Sequence, residues 1–259
     1  MLLTTLSVLS CLGTGLVLAM IGGGGSIIAT PLLMYAVGMP SPHLAIGTGA
    51  VGVGMGALFG LGAHARVHSI DWRSAGLFAA AGVAGALLGG EAGKAVDGTR
   101  LLTLFGLVMI AMGLSLFLGK PRQADPAATP VRHALLRLLG IGFAVGLLAG
   151  FFGIGGGFLI VPGLMLAVRM KMQDAVAASL VAVAALGFTS AASYAWSGLV
   201  DWRVAGLLVL GGAVGAVAGL SLNTWLTGHK GWLRRGFASF VIAAGLYVSV
   251  RGWMALSAG

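Results

Sequence analysis

Apolar stretches long enough to cross a lipid bilayer run through almost the whole of this 259-residue chain. Hydrophobic residues make up 58% of it and charged residues 8%, whereas soluble domains carry about 25% charged residues. So few polar side chains cannot cover a surface that faces water, and a helix needs about 20 apolar residues to span the bilayer. The sequence therefore predicts an all-α polytopic membrane protein.

Polar residues divide the chain into ten apolar segments. The predicted segments are 2–21, 26–38, 43–63, 73–92, 100–118, 135–152, 157–168, 174–196, 203–223 and 233–252. The second and the seventh are short, since about 13 residues at 1.5 Å each extend only roughly 20 Å. This length favours helices that enter the membrane partway, although full crossing is left open.

The two halves of the chain repeat each other. Three pairs of stretches match: GLVLAMIGGGGSIIATP (15–31) with GLLAGFFGIGGGFLIVP (146–162), IDWRSAGL (70–77) with VDWRVAGL (200–207), and GVAGALLG (82–89) with GAVGAVAG (212–219). The matches keep one order, at offsets of 130 or 131 positions. We therefore expect a first transmembrane repeat at 1–118, a linker at 119–134 and a second transmembrane repeat at 135–259.

The basic residues of the loops predict how the two repeats are oriented. With five segments in each repeat, one side of the membrane collects eleven of them: Arg66, Arg73, Lys120, Arg122, Arg132, Arg137, Arg169, Lys171, Lys230, Arg234 and Arg235. The other side keeps Lys94, Arg100, Arg203 and Arg251. Because basic residues concentrate on the cytoplasmic side, this bias predicts inverted repeats, both termini outside and a cytoplasmic linker. Single crossings at 2–38 and 135–168 would give eight to seven, which is no bias.

The net charge of +9 lies mostly in these short loops. We interpret it as a topology signal and a contact with anionic lipid, not as a nucleic-acid-binding surface. A single cysteine, Cys11, excludes an internal disulfide and a cysteine-based metal cluster. The sequence shows no paired membrane carboxylates and no nucleophile–base pattern, so we predict no catalytic residue, metal site or cofactor.

Two glycine-rich turns, GGGGS at 22–26 and GIGGG at 153–157, each precede a short segment. The first amides of a helix lack an intrahelical acceptor and carry the positive end of its dipole. Non-helical backbone at membrane depth is tolerated where it lines a cavity, as in transporters built from inverted repeats. We therefore predict an anion site near the midplane, with close helix packing as the alternative. The predicted ligands are Gly23, Gly24, Gly25, Ser26, Gly155, Gly156 and Gly157, and the helix-break residues are Gly22, Pro31, Gly153 and Pro162.

A few side chains near the segment ends are further candidates. Thr48 and Ser179, 131 positions apart, are candidate hydroxyl ligands, although such residues more often bond their own helix. His64 and Tyr194 occupy equivalent positions and are candidates for a proton-sensitive or gating group, with an interfacial role as the alternative. The repeated Asp-Trp-Arg sequences favour helix caps and interface anchors, with gating by Arg73 and Arg203 as the alternative.

The whole pattern resembles the TauE/SafE family of sulfite exporters, also described as probable membrane transporters. The resemblance covers nearly the entire chain and lies in Gly22–Pro31, Gly153–Pro162, the basic linker and the repeated Asp-Trp-Arg. It implies movement of sulfite, sulfonates, related sulfur anions or organic acids. The first turn reads GGGGS where the second reads GIGGG, so we expect two half-sites that are not chemically equivalent.

We therefore expect a secondary transporter that exports a small anion by alternating access across a bacterial-type inner (plasma) membrane. An inside-negative potential favours anion exit by about 2.3 kcal/mol per charge per 100 mV, so uniport would run downhill. An anion channel, an organic-acid transporter and, less favoured, a membrane-embedded enzyme are the alternatives. The exact substrate, the coupling ion, the direction of transport and homodimer formation are left open by the sequence.

Overall fold

The computed structural model describes residues 26–65, 70–118, 131–153, 155–168, 170, 172–225 and 230–257. These residues form nine helices: α1 (Ser26–Tyr35), α2 (Pro42–His64), α3 (Trp72–Ala95), α4 (Gly98–Leu118), α5 (Val131–Phe152), α6 (Gly157–Val168), α7 (Met172–Trp196), α8 (Trp202–Trp225) and α9 (Lys230–Ser257). The predicted segment 2–21, the glycines at 22–25 and most of the linker lie outside the described residues.

Six stretches in the described part of the chain are long and apolar enough to cross a membrane. They are Pro42–Gly62, Trp72–Ala95, Gly98–Ser115, Leu135–Phe152, Asp174–Trp196 and Ala238–Ala255. Large apolar side chains on these helices face outward: Leu136 is 68% exposed and Trp253 is 71% exposed. Exposed apolar surface of this kind suits contact with lipid, so the chain is an all-α, multi-pass membrane protein, as predicted.

Several helix ends differ from the predicted apolar segments; α9, for example, ends at Ser257, five residues after the predicted end at 252. α5 begins at Val131, four residues before the predicted start at 135, because its first turn contains polar residues that hydropathy does not count as part of a span. α1 ends at Tyr35, three residues before the predicted end at 38. Gly38 has a φ of 75°, a left-handed conformation that interrupts a helix and favours glycine.

Both Asp-Trp-Arg sequences begin a helix, as predicted. The carboxylate of Asp71 accepts a hydrogen bond from the Ser74 amide at 3.1 Å. The carboxylate of Asp201 accepts from the amides of Arg203 and Val204 at 3.0 and 3.2 Å. These bonds satisfy amides that the first turn of a helix leaves free, so the structure confirms the caps.

Several helix contacts in one half of the chain have a counterpart between the equivalent helices of the other half. α2 crosses α7, and α4 packs along α9. α1 packs on α2 as α6 packs on α7, and α8 packs on α2 as α3 packs on α7. Duplicated halves related by a two-fold axis would give these contacts. The inverted orientation of the halves stays a prediction.

Small residues bring α3 and α5 into backbone contact. A Cβ added to Gly85, Gly89 or Gly93 on α3 would overlap a carbonyl oxygen of α5. On α5, Gly146 and Gly150 contact the α3 backbone in the same way. GVAGALLG at 82–89 therefore forms a close-packing surface, as small residues do between membrane helices. Both helices are held beside the turn that follows α5.

Candidate functional site

The turn between α5 and α6 has a backbone that requires glycine. Gly153, Gly155 and Gly156 have φ values of 63°, 64° and 64°, a region that costs other L-residues about 1–2 kcal/mol. A Cβ on Gly153 would overlap the Ile46 side chain, and one on Gly156 would overlap Ala149. The sequence GIGGG is therefore needed both for the chain reversal and for the close approach of neighbouring helices.

This turn lies beside the crossing of the two central helices. The α2 and α7 backbones meet at Gly54 and Gly187, where a Cβ on Gly187 would lie 2.8 Å from the Gly54 Cα. A Cβ on Gly155 would lie 3.2 Å from Val53 Cγ1 and 3.3 Å from the Gly187 Cα. Val53 and Gly187 are near the middle of their helices, so the turn enters the interior at about the mid-length of both.

The amides of the turn make this the open N-terminus of α6. The Gly156 carbonyl accepts from the Leu159 and Ile160 amides at 2.9 and 3.1 Å, so the helical bonding begins there. The amides of Gly155, Gly156 and Gly157 have no acceptor among the described residues, and all three glycines are buried. Buried amides are nearly always paired, and a helix N-terminus favours negative charge. The turn is thus chemically suited to hold an anion.

Tyr194 reaches the turn from the last part of α7. The residue is 0% exposed, and its hydroxyl lies 3.3 Å from the position of a Cβ on Gly153. This hydroxyl has no hydrogen-bond partner among the described residues. Tyr194 was predicted as a gating or proton-sensitive residue from its place in the repeat, and the structure brings its side chain to the glycine turn.

His43, on the first turn of α2, lies next to Tyr194. The two ring centroids are 6.4 Å apart. The His43 Nε2 lies 3.2 Å from the Val96 carbonyl oxygen, a contact that assigns the proton to Nε2. The other ring nitrogen, Nδ1, is buried without a hydrogen-bond partner in the described part of the chain. Nothing in the sequence singled out His43, which begins the predicted segment 43–63.

Ser190 is a second residue near the turn that was not predicted from the sequence. It is 4% exposed, and its hydroxyl also has no partner among the described residues. It follows Gly187 by three positions and precedes Tyr194 by four, a spacing that places all three on one face of a helix. That spacing was readable in the sequence, but a lone serine within an apolar segment gives no signal until a helix packs against it.

The two predicted hydroxyls have backbone partners instead. Thr48 accepts a hydrogen bond from the Asp201 amide at 2.9 Å, which ties α2 to the start of α8. Ser179 donates to the Val176 carbonyl of its own helix at 2.7 Å. Both residues are buried. Their assignment as substrate ligands stays a prediction, and each hydroxyl already has a structural contact.

The remaining predicted residues are spread along the fold. Arg73 and Arg203 are exposed at the starts of α3 and α8, and neither forms an ion pair with a described residue. Pro31 and Pro162 each occupy the sixth position of a short helix, α1 and α6. Gly22, Gly23, Gly24 and Gly25 lie outside the described residues, and the structure describes the backbone but not the side chains of Ser26 and His64.

The start of α1 nevertheless lies close to the second turn. Ile27, two residues after Gly25, is buried in one apolar cluster with Ile46, Phe152 and Tyr194. Phe152 directly precedes the turn at Gly153. The approach of the two glycine turns to each other stays a prediction, because residues 22–25 lie outside the described residues. Within the described residues, no group of three or more metal-ligating side chains lies together.

Membrane-spanning helices around a buried helix N-terminus, preceded by a glycine break, are features found in membrane transporters. The family follows from comparison with known proteins. The model of the sulfite exporter TauE/SafE family matches residues 7–248. The chain belongs to this family, which confirms the resemblance seen in the sequence.

Relatives in distant organisms are described as transporters. A "Probable membrane transporter protein" of Xylella fastidiosa (strain Temecula1) is 44% identical over 246 residues, covering 94% of this chain and 94% of its own. "Probable membrane transporter protein YunE" of Bacillus subtilis (strain 168) is 31% identical over 230 residues, covering 81% and 84%. No solved structure matches the chain. The family and these names indicate that the chain is a membrane transporter protein.

Proposed function

We propose that the protein exports a small anion, a sulfur oxyanion such as sulfite or an organosulfonate, across a bacterial-type inner membrane. One observation carries the proposal: the amides of Gly155, Gly156 and Gly157 open α6 inside the protein, without an acceptor among the described residues. The TauE/SafE family assignment supports the sulfur anion. The proposed orientation has both termini outside and the linker in the cytoplasm.

The chemistry of the turn favours an anion over a cation or a neutral solute. Backbone amides only donate hydrogen bonds, and a helix N-terminus corresponds to about half a positive elementary charge. A partial charge binds an anion without the strong pairing that an arginine would provide. This weaker binding suits a transporter, because its substrate must leave on the other side.

The membrane potential is the proposed driving force. The acidic residues of the described part of the chain, Asp71, Glu91, Asp97, Asp174 and Asp201, all lie at helix ends or in short loops. We therefore propose uniport rather than proton coupling through a buried carboxylate. An inside-negative potential contributes about 2.3 kcal/mol per exported charge per 100 mV, which is enough to move an anion outward against a gradient.

Alternating access explains how an anion could reach so closed a site. The three glycines of the turn and the Tyr194 ring are buried, so the helices must separate before an anion can enter or leave. We propose that the two halves exchange which glycine turn faces water. An anion channel is the second candidate, since it could use the same helix N-terminus.

Flux through reconstituted proteoliposomes tests the proposal. Vesicles loaded with sulfite under anaerobic conditions should lose it faster when a potassium diffusion potential makes the interior negative. External sulfite should accelerate exit by counterflow, which a channel would not show. Thiosulfate, sulfate, sulfonates and carboxylates complete the screen, with protein-free vesicles as the control. Transport of a neutral solute without transport of any anion would refute the function.

A further inference from the structure

We propose that the hydroxyl groups of Ser190 and Tyr194 bind the transported anion directly and select polyatomic oxyanions over halides. This inference rests on the proposed function, because it names two side-chain ligands of the same site. It adds donors from α7 to the amides of the turn before α6. It is supported by the placement of the two hydroxyls and by their lack of a hydrogen-bond partner among the described residues.

One face of α7 contacts the glycine turn at two positions. Gly187 and Tyr194 lie within about 20° of each other around the helix, and Ser190 lies about 60° from Gly187 on the same side. Gly187 contacts the turn at Gly155, and Tyr194 contacts it at Gly153. Ser190 lies between these two contacts along the helix. The Tyr194 hydroxyl therefore lies at the turn, and Ser190 lies on the same side of α7 between the two contacts. The amides of the turn have no acceptor among the described residues.

The other hydroxyls of α7 behave differently. Three of them have partners in the described part of the chain: Ser179 with the Val176 carbonyl, Thr189 with the Ala185 carbonyl and Ser193 with the Glu91 carboxylate. Ser190 and Tyr194 have none there, and both are buried. A buried hydroxyl without a partner is costly. Two such hydroxyls on one face of α7, and amides in the nearby turn that also have no acceptor among the described residues, point to a shared ligand.

The geometry of these donors fits a particular class of ligand. The amides approach from the turn and the hydroxyls from α7, so the donors converge on the ligand from different directions. A sulfur oxyanion carries three or more acceptor oxygens and can accept from both sides at once. A halide offers one centre with no fixed directions. Removal of the hydroxyls should therefore weaken oxyanion binding much more than halide binding.

The test uses Tyr194→Phe and Ser190→Ala, which remove a hydroxyl and little else. Sulfite and iodide fluxes are measured in proteoliposomes. Each variant should raise the KM for sulfite about ten-fold, equivalent to about 1.4 kcal/mol, while iodide flux changes less than two-fold. Thr189→Val and Ser193→Ala are matched controls on the same helix, because their hydroxyls already have partners. Both controls should keep the wild-type KM.

Thermal unfolding of the detergent-solubilised protein separates ligand binding from a structural role. If the Tyr194 hydroxyl binds the anion, Tyr194→Phe without sulfite should unfold at the wild-type temperature or above it. Added sulfite should raise the unfolding temperature of this variant less than that of the wild type. A lower unfolding temperature without sulfite would show a structural hydroxyl and overturn the proposal. Wild-type KM and selectivity in both variants would also overturn it while leaving anion transport intact. A wild-type protein that moves no anion would refute the proposed function as well.

Discussion

Replacement of Gly155 by alanine tests whether the glycine turn is the transport site, and Gly198→Ala is its matched control. Both glycines are left-handed, with φ values of 64° and 70°. A Cβ on Gly198 would have no atom within 4 Å, whereas one on Gly155 would lie 3.3 Å from the Gly187 Cα. The two substitutions therefore share the cost of backbone strain and differ in the contact with α7.

The magnitudes follow from these two terms. An alanine in the left-handed region destabilises the folded protein by about 1–2 kcal/mol. Replacement of glycine by alanine also lowers the conformational entropy of the unfolded chain, which stabilises the folded protein by about 0.4–1 kcal/mol. Gly198→Ala should therefore lower the free energy of unfolding by about 1 kcal/mol. At Gly155 the methyl group also meets the backbone of a packed helix, and overpacking of this kind adds about 1–3 kcal/mol. This overpacking should also displace the backbone amides of the turn, which have no acceptor among the described residues.

The assay combines thermal unfolding in detergent with sulfite flux in proteoliposomes. Gly198→Ala should unfold about 2–4 °C below the wild type and keep its KM. Gly155→Ala should unfold at a still lower temperature and lose about ten-fold or more in initial flux, because its amides no longer hold their positions. Equal losses of flux in the two variants, or wild-type flux in Gly155→Ala, would refute the reasoning that places the anion at this turn.

Three further tests probe other parts of the structure, and two of them include a control substitution. Thr48→Val should lower the free energy of unfolding by about 1 kcal/mol with little change in KM, since its hydroxyl bonds an amide of another segment; Ser179→Ala, which loses a bond within its own helix, should change stability less. Gly89→Ala should destabilise the protein because its Cβ would overlap the α5 backbone, whereas Gly76→Ala, with open space around it, should not. Finally, Asp125→Cys in a chain without its native cysteine should react with a membrane-impermeant maleimide only from the cytoplasmic side; reaction from the outside would reverse the proposed topology.

The sequence predicted the membrane helices well because bilayer thickness imposes a length that hydropathy can detect. The segment 157–168 agrees with α6 at both ends, and 174–196 falls within two residues of α7. The Asp71 and Asp201 caps were also predictable, since N-capping depends on local sequence alone. Differences appear where helices continue beyond the apolar segment, as at the start of α5, because backbone hydrogen bonding does not stop where hydropathy falls.

The side chains around the turn were harder to predict because they depend on packing between distant segments. The partner of Thr48 is 153 positions away, and no periodicity within one segment reveals it. Ser190 and His43 differ from other buried polar residues only by what they lack, a hydrogen-bond partner among the described residues. Whether a buried polar atom has a hydrogen-bond partner depends on how the surrounding helices pack, and the sequence alone does not show that packing. Tyr194 was found through the repeat, although its contact with Gly153 depends on the α5–α6 turn.

The proposed hydrogen-bond donors to the anion lie on two separate parts of the structure, the turn before α6 and helix α7. A movement that separates these two parts would therefore also change anion binding. The amides belong to the turn that begins α6, and the hydroxyls of Ser190 and Tyr194 belong to α7. A sulfur oxyanion between them would be bound most tightly when the two units are packed together, as they are here. Any motion that opens the site to water must separate these donors, so it also weakens binding. With no full charge among the proposed ligands, release needs only this separation, and the membrane potential can set the direction of export.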